Sequence, residues 1–413
     1  MGKEKLKRSL GFWDILMFGV GGIVGAGIYA IIGQAAGLSG NMLWASFAIA
    51  AAVALLTGLS YAEFVSRFPD AGGSFEYIKR GMNEKTALVM AIFIAFTGIV
   101  APAAIAISFA EYLSRLMNIP NWISVIAIVV AMATFNIIGS KISSYYNKFA
   151  TAITLLGLAL VIAFCIPDWG EVAYFEMGDE GFTGILAGSA LIFFSYVGFE
   201  DLVKMAEETK EPKKVLPKGV LFSGIIVFLL YVMIAISAVS TFSAGELAQK
   251  DGPLAAIIES QWGQIGGTVL VIVALFATSK TILSNILGTS RLLYDVARDS
   301  EISWLKKFTT LSGVGEKTPN YAIIAIAIVT IAFGLIGNLK IVASISNIFV
   351  FGLFGMVNVA LLRYRKNHKG KEEEDIFKIP LNINNIPIPT VLALISILIL
   401  FGFNIYNLLQ GNA

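Results

Sequence analysis

Four glycines fall within the apolar stretch Gly21-Gly22-Ile23-Val24-Gly25-Ala26-Gly27-Ile28-Tyr29, and a second interrupted stretch reads Phe194-Ser195-Tyr196-Val197-Gly198-Phe199-Glu200-Asp201. Glycine destabilises a helix by about 1 kcal/mol per residue relative to alanine, so the first stretch predicts a break in an otherwise apolar helix. Unwound backbone at membrane depth is tolerated only where it lines a cavity or is buried in protein. Two such breaks at corresponding places in two halves of a chain are typical of a transporter's binding site.

The composition of the 413 residues indicates a membrane protein. Hydrophobic residues make up 57% of the chain, charged residues only 14%, and the mean hydropathy is +0.78. A soluble domain of this size could not bury so much apolar surface. The single cysteine, Cys165, and the single histidine, His368, leave no disulfide within one chain, no zinc motif and no catalytic constellation. We therefore expect an all-α integral membrane protein that is not an enzyme, has no cofactor or metal site and binds no nucleic acid.

Eleven apolar runs have about the length of 18 residues or more that a helix needs to cross a bilayer. They occupy approximately residues 11–36, 41–66, 86–114, 122–139, 148–166, 182–205, 216–241, 265–297, 321–337, 341–363 and 388–409. The connections between them are short and leave no room for a separate soluble domain. The sequence thus predicts one transmembrane domain over residues 1–413 with eleven spans.

The basic residues predict the orientation of these spans. If the N-terminus is cytoplasmic, only Arg115, Lys250 and Lys340 lie outside and Lys280 lies within a span, so the other 26 of the 30 lysines and arginines are cytoplasmic. Such an excess of positive charge on one side sets the orientation of a membrane protein. With eleven crossings, the C-terminus is expected outside the cell membrane.

The first and sixth spans carry the two interruptions, and five crossings separate them, so they run in opposite directions. Gly25 and Gly198 lie 173 positions apart, close to the length of five spans with their connections. This arrangement predicts two inverted five-helix repeats, at about 11–166 and 182–363. One extra helix follows at about 388–409.

Each interruption has a chemistry of its own. A half-helix that starts after Gly25 would favour a carboxylate, through its dipole and its free N–H groups. The spacing of Gly21 and Gly25 also fits a simple helix-packing face. In the second stretch, freed carbonyls near Phe194 and Val197 are suited to an ammonium group. The aromatic rings of Phe194 and Phe199 could cover a ligand.

The second interruption is followed by two carboxylates, Glu200 and Asp201. An acid within a membrane span is costly and usually faces a cavity or a partner. In the alternative interpretation, both carboxylates are solvated in a water-filled vestibule.

Motifs along the chain resemble those of the amino acid–polyamine–organocation transporters. The run from Gly22 to Tyr29 resembles the first-helix signature of that family, and further matches follow in the family's order and spacing up to about residue 300. They are Tyr61-Ala62-Glu63-Phe64 with Arg67, Pro69, Ala71-Gly72-Gly73-Ser74 and Tyr77; Asn136-Ile137-Ile138-Gly139-Ser140-Lys141; Phe193 to Glu200 with Glu207-Glu208-Thr209, Pro212 and Pro217; and Ser290-Arg291-Leu292-Leu293-Tyr294 with Ala297-Arg298-Asp299.

The resemblance implies the leucine-transporter fold, with the substrate site where helices 1 and 6 are broken. By analogy, the N–H groups of Ala26 and Gly27 hold a substrate carboxylate, and the Phe194 ring acts as a lid. The substrate's amine is held by the carbonyls of Ile23, Phe194 and Val197. Gly25, Ser195 and Gly198 complete the site. Two departures from the family are Ala26, where serine is common, and Tyr29, where phenylalanine is usual.

Lys280 lies near the membrane midplane, about 20 Å along its helix from Gly267 and about 16 Å from Arg291 at a rise of 1.5 Å per residue. In proton-coupled relatives, a helix 5 lysine commonly occupies the position of a bound sodium ion, which by motif counting corresponds to Thr154 here. We expect the Lys280 ammonium to take that position against helix 1 carbonyls and to lose its proton during transport. The alternatives are sodium coupling through Thr278 and Ser279, and a permanent ion pair of Lys280 with Glu200 or another acid.

These observations together predict a secondary active transporter of the cell membrane that moves an amino acid by alternating access and is coupled to protons. A carrier of polyamines or other amines, an amino acid exchanger and a sodium-coupled symporter remain alternatives. The expected partners are the amino acid, the coupling ion and the lipid bilayer. Neither the substrate's side chain nor an oligomeric state is predicted.

Overall fold

The computed structural model describes residues 8–69, 73–299, 303, 305–311, 318–368 and 375–409, without the side chains of 140–142 and 299. Some of the basic residues predicted to be cytoplasmic, among them Lys3, Lys5 and Lys7, lie outside the described residues. Ala71, Gly72 and the Lys141 and Asp299 side chains of the family motifs lie outside them too. Within these ranges the chain forms fourteen α-helices and one short hairpin.

The helices follow one another with short connections. They are α1 (Phe12–Ile23), α2 (Gly27–Ser39), α3 (Leu43–Arg67), α4 (Gly73–Gly81), α5 (Glu84–Ser114), α6 (Asn121–Ile138), α7 (Ser140–Cys165), α8 (Gly181–Ile192), α9 (Pro212–Thr241), α10 (Ala244–Gln249), α11 (Pro253–Asp299), α12 (Asn320–Gly334), α13 (Leu339–Asn367) and α14 (Ile388–Leu409). Short 3-10 segments lie at Ile166–Asp168, Phe193–Tyr196, Phe199–Met205 and Leu305–Thr309, and strands Asn382–Ile383 and Ile386–Pro387 pair antiparallel.

The predicted all-helical membrane architecture is confirmed. In the described part of the chain, nine helical segments are long and apolar enough to cross a membrane, and the bent pair α1–α2 makes ten. The ninth predicted span corresponds to α12, which has only 15 residues. At 1.5 Å per residue α12 is about 22 Å long, shorter than the hydrocarbon core of about 30 Å. The count of eleven spans therefore stays a prediction.

Both glycine-rich stretches interrupt their helices. The axes of α1 and α2 differ by 48° across Val24, Gly25 and Ala26. In the second stretch, α8 tightens into the 3-10 turn Phe193–Tyr196, a form that often marks a hinge within a helix. Val197 is then extended, and Gly198 takes a φ of +131°, which side-chain-bearing residues rarely adopt.

The helices pack around these breaks in matched pairs. α3 packs against α9, α1 packs against α9, and α8 packs against α3. In the same way, α5 packs against α13 and α12, while α11 packs against α7 and α6. The broken segments α1–α2 and α8 lie among these helices, and α2 is almost fully buried.

Two extramembrane segments cover opposite ends of the first broken helix. Short helix α10 lies so close to α2 that a Cβ atom at Gly33 would come within 2.6 Å of the Leu247 carbonyl oxygen. A capping box starts α10, and hydrogen bonds from Ser243 lower the pKa of the Glu246 carboxyl. At the other end, the Ser9 and Leu10 N–H groups donate to the Glu208 carbonyl at 2.9 and 3.0 Å. The start of α1 is thereby joined to the segment that follows the second break.

A buried ion cluster joins α3, α13 and the segment before the hairpin. The Glu63 carboxylate, fully buried, accepts hydrogen bonds from Arg67 Nε at 3.0 Å, Arg365 Nε at 2.8 Å and the Ile379 N–H at 3.0 Å. Arg365 is itself 5% exposed, so both charges depend on each other for compensation. Removal of one partner from such a cluster leaves an uncompensated buried charge.

We expect the substitution Glu63→Ala to destabilise the protein by about 3–5 kcal/mol because it removes the carboxylate that compensates the buried Arg365 guanidinium. The measurement is the thermal unfolding of purified protein in detergent. The matched control is Glu84→Ala, which removes an exposed pair with Lys79 and should cost less than about 1 kcal/mol. Equal melting temperatures for the two variants would contradict the structural role of the cluster.

Candidate functional site

The break between α1 and α2 exposes backbone groups that other helices satisfy. Lys280 Nζ of α11 donates to the Gly21 carbonyl at 3.2 Å and to the Val24 carbonyl at 3.0 Å. The hydroxyl of Tyr231 from α9 lies 3.2 Å from the Ile23 carbonyl oxygen. These contacts occur because the last carbonyls of a helix have no partner within it. The end of α1 therefore presents a set of carbonyl oxygens suited to cations and N–H donors.

The start of α2 presents the complementary chemistry. Its first turn leaves the N–H groups of Gly27, Ile28 and Tyr29 without partners inside the helix. The preceding Ala26 N–H donates to the Thr281 hydroxyl of α11 at 3.1 Å. A helix N-terminus with free N–H groups is a ready anion site. The Thr281 hydroxyl thus lies beside Ala26, where a serine at position 26 would supply a hydroxyl of its own.

Glycine allows the two breaks to touch. A Cβ atom at Gly27 would lie 2.7 Å from Ser195 Cα, and one at Gly198 would lie 2.7 Å from the Gly22 carbonyl oxygen. A Cβ at Gly25 would meet the Thr281 hydroxyl at 3.0 Å. Real side chains do not tolerate the first two distances, so glycine at 27 and 198 is what permits this close approach. The structure therefore brings together the predicted residues Ile23, Gly25, Ala26, Gly27, Ser195 and Gly198.

The second break is partly open. Ser195 is buried, and its hydroxyl has no hydrogen-bond partner among the described residues. Val197 and Gly198 are half-buried and Gly22 opposite them is exposed, whereas Ile23 to Gly27 are buried. Of the residues from Gly22 to Gly27, Gly22 is thus the one that is exposed.

The two aromatic residues predicted to form a gate lie on opposite sides of the second break. Phe194 is buried in the 3-10 turn, at 7% exposure. The Phe199 ring packs against Tyr61 at 5.4 Å and Phe354 at 5.1 Å between centroids. Phe199 is therefore held in an aromatic cluster with α3 and α13, and its role as a gate stays a prediction.

Lys280 is the most deeply buried lysine near the breaks, at 2% exposure. Its third hydrogen bond goes to the Thr151 hydroxyl of α7 at 2.9 Å. All three donors of the ammonium are thus satisfied by neutral oxygens. In the described part of the chain no ion pair includes Lys280.

The other predicted coupling residues do not contact Lys280. Glu200 accepts a hydrogen bond from the Gly198 N–H at 2.7 Å. The Thr278 hydroxyl donates to the Ala274 carbonyl of its own helix at 2.7 Å. The Ser279 hydroxyl bonds the Leu275 carbonyl at 2.6 Å and the Tyr146 hydroxyl at 2.5 Å. Neither hydroxyl is recorded as hydrogen-bonded to an α1 carbonyl in the described part of the chain, and sodium coupling through Thr278 and Ser279 stays an alternative.

Several residues of the site escaped the sequence analysis. Motif counting gave Thr154 as the position on α7, but Thr151, one turn earlier, contacts Lys280. Thr154 instead offers its carbonyl to the Tyr29 hydroxyl at 2.9 Å, a bond that phenylalanine at 29 could not make. The sequence could have indicated Thr281, because it follows Lys280 directly. Nothing in the sequence indicated Tyr231, because tyrosine within an apolar span is common.

Membrane-length helices that surround two facing breaks define the class of a multi-pass membrane transporter. The profile of the family described as amino acid permease matches residues 10–411. The chain belongs to this family, and the predicted membership of the amino acid–polyamine–organocation superfamily is confirmed. Because the family consists of transporters, the prediction that the protein is not an enzyme is also confirmed.

The chain is similar to curated transporters from bacteria and plants. It is 26% identical to the branched-chain amino acid permease BcaP of Bacillus subtilis, over 88% of this chain and 82% of that protein. It is 26% identical to the inner membrane transport protein YbaT of Escherichia coli, over 97% and 90%. It is 26% identical to cationic amino acid transporter 1 of Arabidopsis thaliana, over 87% of this chain but only 63% of the plant protein.

We expect Gly27→Ala to weaken ligand binding because its methyl group would force the two breaks apart. Overpacking of this kind costs about 1–3 kcal/mol, so affinity should fall by about tenfold or more. The measurement is the ligand-induced rise in melting temperature across a screen of the twenty amino acids. Gly288→Ala is the matched control, because a Cβ there meets nothing within 4 Å. An unchanged response in Gly27→Ala would show that this contact does not shape the site.

Proposed function

We propose that the protein is a secondary active transporter that moves an amino acid across the cell membrane by alternating access, coupled to protons through Lys280. The observation that carries this proposal is the Lys280 ammonium bound to the Gly21 and Val24 carbonyls at the first break. This contact joins a titratable group to the backbone that is expected to bind the substrate.

The predicted substrate site has the two charges that an amino acid needs. The N–H groups at the start of α2 suit a carboxylate, with Ala26 and Gly27 nearest the break. The Ala26 N–H, which donates to Thr281 in this structure, would exchange that hydroxyl for the carboxylate. Carbonyls of Ile23, Phe194 and Val197 suit an α-ammonium, and Phe194 is expected to act as a lid. The close approach of Gly27 to Ser195 supports a single site formed by both breaks. The names of two relatives refer to branched-chain and cationic amino acids, and the substrate proposed here belongs to that general class.

The matched packing of helices supports two inverted five-helix repeats in one transmembrane domain. α5 and α11 occupy corresponding positions, since each packs against the last two helices of the other half. In this arrangement α12 is the ninth of eleven spans despite its length, and α14 is the extra helix. The N-terminus is then cytoplasmic and the C-terminus outside, and α10 covers the site from the outside. The exposure of Gly22 supports an opening toward the cytoplasm.

Neutral ligands make Lys280 a suitable coupling group. If its partner were a carboxylate, loss of the proton would strand a buried negative charge. Here deprotonation leaves only two carbonyls and the Thr151 hydroxyl. The neutral amine binds these oxygens more weakly, so α1 is freed to move relative to α11 and α7. Glu200 lies at the partly open second break and is the second candidate for carrying a proton.

We expect Lys280→Met to abolish the stimulation of uptake by an inward proton gradient in proteoliposomes. The substrate is the radiolabelled amino acid that most stabilises the purified protein, and the rate should fall by about tenfold or more because the α1 carbonyls lose a switchable partner. The control is Lys218→Met, at an exposed lysine of α9. Uptake that depends strictly on sodium and is intact in Lys280→Met would overturn proton coupling.

A methyl ester separates an amino acid site from an amine site. We expect the free amino acid to compete for uptake. Its methyl ester keeps the ammonium but loses the charge-assisted hydrogen bonds at the α2 N-terminus, so it should compete at least about a hundredfold more weakly. The measurement is inhibition of labelled uptake at equal concentrations. If the ester and polyamines compete as well as the amino acid, the protein is an amine carrier.

Uptake into vesicles with and without internal substrate distinguishes net transport from exchange. A proton-coupled symporter should accumulate the labelled amino acid in vesicles that contain no internal substrate. Uptake that requires an internal amino acid at every pH would identify an exchanger.

A further inference from the structure

One side chain from a third helix bridges the two breaks. The Tyr231 hydroxyl of α9 lies 3.2 Å from the Ile23 carbonyl oxygen and 3.3 Å from the Ser195 carbonyl oxygen. The first carbonyl ends α1, and the second belongs to the 3-10 turn of the other break. Tyr231 is completely buried.

The hydroxyl has one proton for these two acceptors. A proton shared between two carbonyls forms a three-centre bond, and both distances are longer than the usual N–H or O–H contact. The Ile23 carbonyl also accepts the Gly25 N–H at 2.7 Å, so the acceptor position that it shares with the phenol is the one that a further donor would take. The phenol occupies that acceptor position when no ligand is bound.

The Tyr231 ring is fixed by aromatic neighbours. It packs against Phe47 of α3 at 5.8 Å and Tyr196 at 5.2 Å between centroids. The Tyr196 hydroxyl in turn donates to the Phe47 carbonyl at 3.1 Å. Because the ring is held on two sides, its hydroxyl has a fixed position between the breaks.

We propose that Tyr231 is the positioning residue for the amine end of the substrate. It holds the Ile23 carbonyl, one of the three proposed to receive an α-ammonium, in a fixed place opposite the Ser195 carbonyl of the second break. When the ammonium binds the Ile23 carbonyl, the Tyr231 hydroxyl donates to the Ser195 carbonyl alone. Substrate binding therefore leaves the phenol with a hydrogen-bond acceptor. This inference rests on the proposed amino acid site, whose amine it concerns.

The test compares Tyr231→Phe with Tyr196→Phe. Both substitutions remove one buried hydroxyl from the same aromatic cluster and keep the ring, but only Tyr231 contacts both breaks. The affinity of purified protein is measured by calorimetry for the best-stabilising amino acid and for its 2-hydroxy acid analogue, which lacks the amine. Melting temperatures without ligand report on folding.

We expect Tyr231→Phe to weaken amino acid binding by about tenfold, the usual effect of a lost hydrogen bond near charge, and to leave binding of the 2-hydroxy acid unchanged. The amino acid affinity of Tyr196→Phe should match the wild type. Equal losses for both ligands, or equal effects of both substitutions, would show a merely structural role and overturn the inference. Failure of the wild type to bind any amino acid would instead overturn the proposed function, and with it this inference.

Discussion

Backbone groups at a helix break in a membrane protein must find partners within the protein, because lipid offers none. At the first break those partners come from side chains of two other helices. Lys280 serves the Gly21 and Val24 carbonyls, Tyr231 serves the Ile23 carbonyl, and Thr281 serves the Ala26 N–H. Since an unpaired buried polar group costs about 1–3 kcal/mol, these contacts determine how α1, α9 and α11 meet. The close contacts at Gly27 and Gly198 then set the distance between the two breaks.

The backbone carbonyls that need partners at the first break are also suited to bind a ligand, and their partner Lys280 can carry a proton. Carbonyls at the end of α1 accept from Lys280 and Tyr231, and an ammonium group would use the same acceptor positions. A change at one donor therefore alters the geometry offered to the others. Because the partners of Lys280 are neutral oxygens, this coupling requires no compensating movement of an acid. A site of this kind links substrate and ion through shared backbone atoms rather than through a distant pathway.

Local chemistry made both breaks predictable from the sequence. The glycines of the first stretch and Gly198 of the second predicted the interruptions, and the rise per residue placed Lys280 at the depth of the first. Orientation around a helix axis was less predictable. Thr151 rather than Thr154 contacts Lys280, and the Phe199 ring packs between Tyr61 and Phe354. Successive helix residues point about 100° apart, so a count along the chain gives depth but not direction. For the same reason Tyr231 could not be selected from among the other aromatic residues of the spans.

By itself the sequence determined the membrane class, the family, the positions of the two breaks and the presence of a lysine at their depth. These follow from composition, glycine content and spacing, which are properties of neighbouring residues. Only the tertiary structure decided which side chains satisfy the broken backbone. Lys280 and Gly21 are 259 positions apart, and Tyr231 and Ile23 are 208 apart. Contacts over such separations depend on how each helix is rotated when it packs, and that rotation is fixed jointly by all of its neighbours.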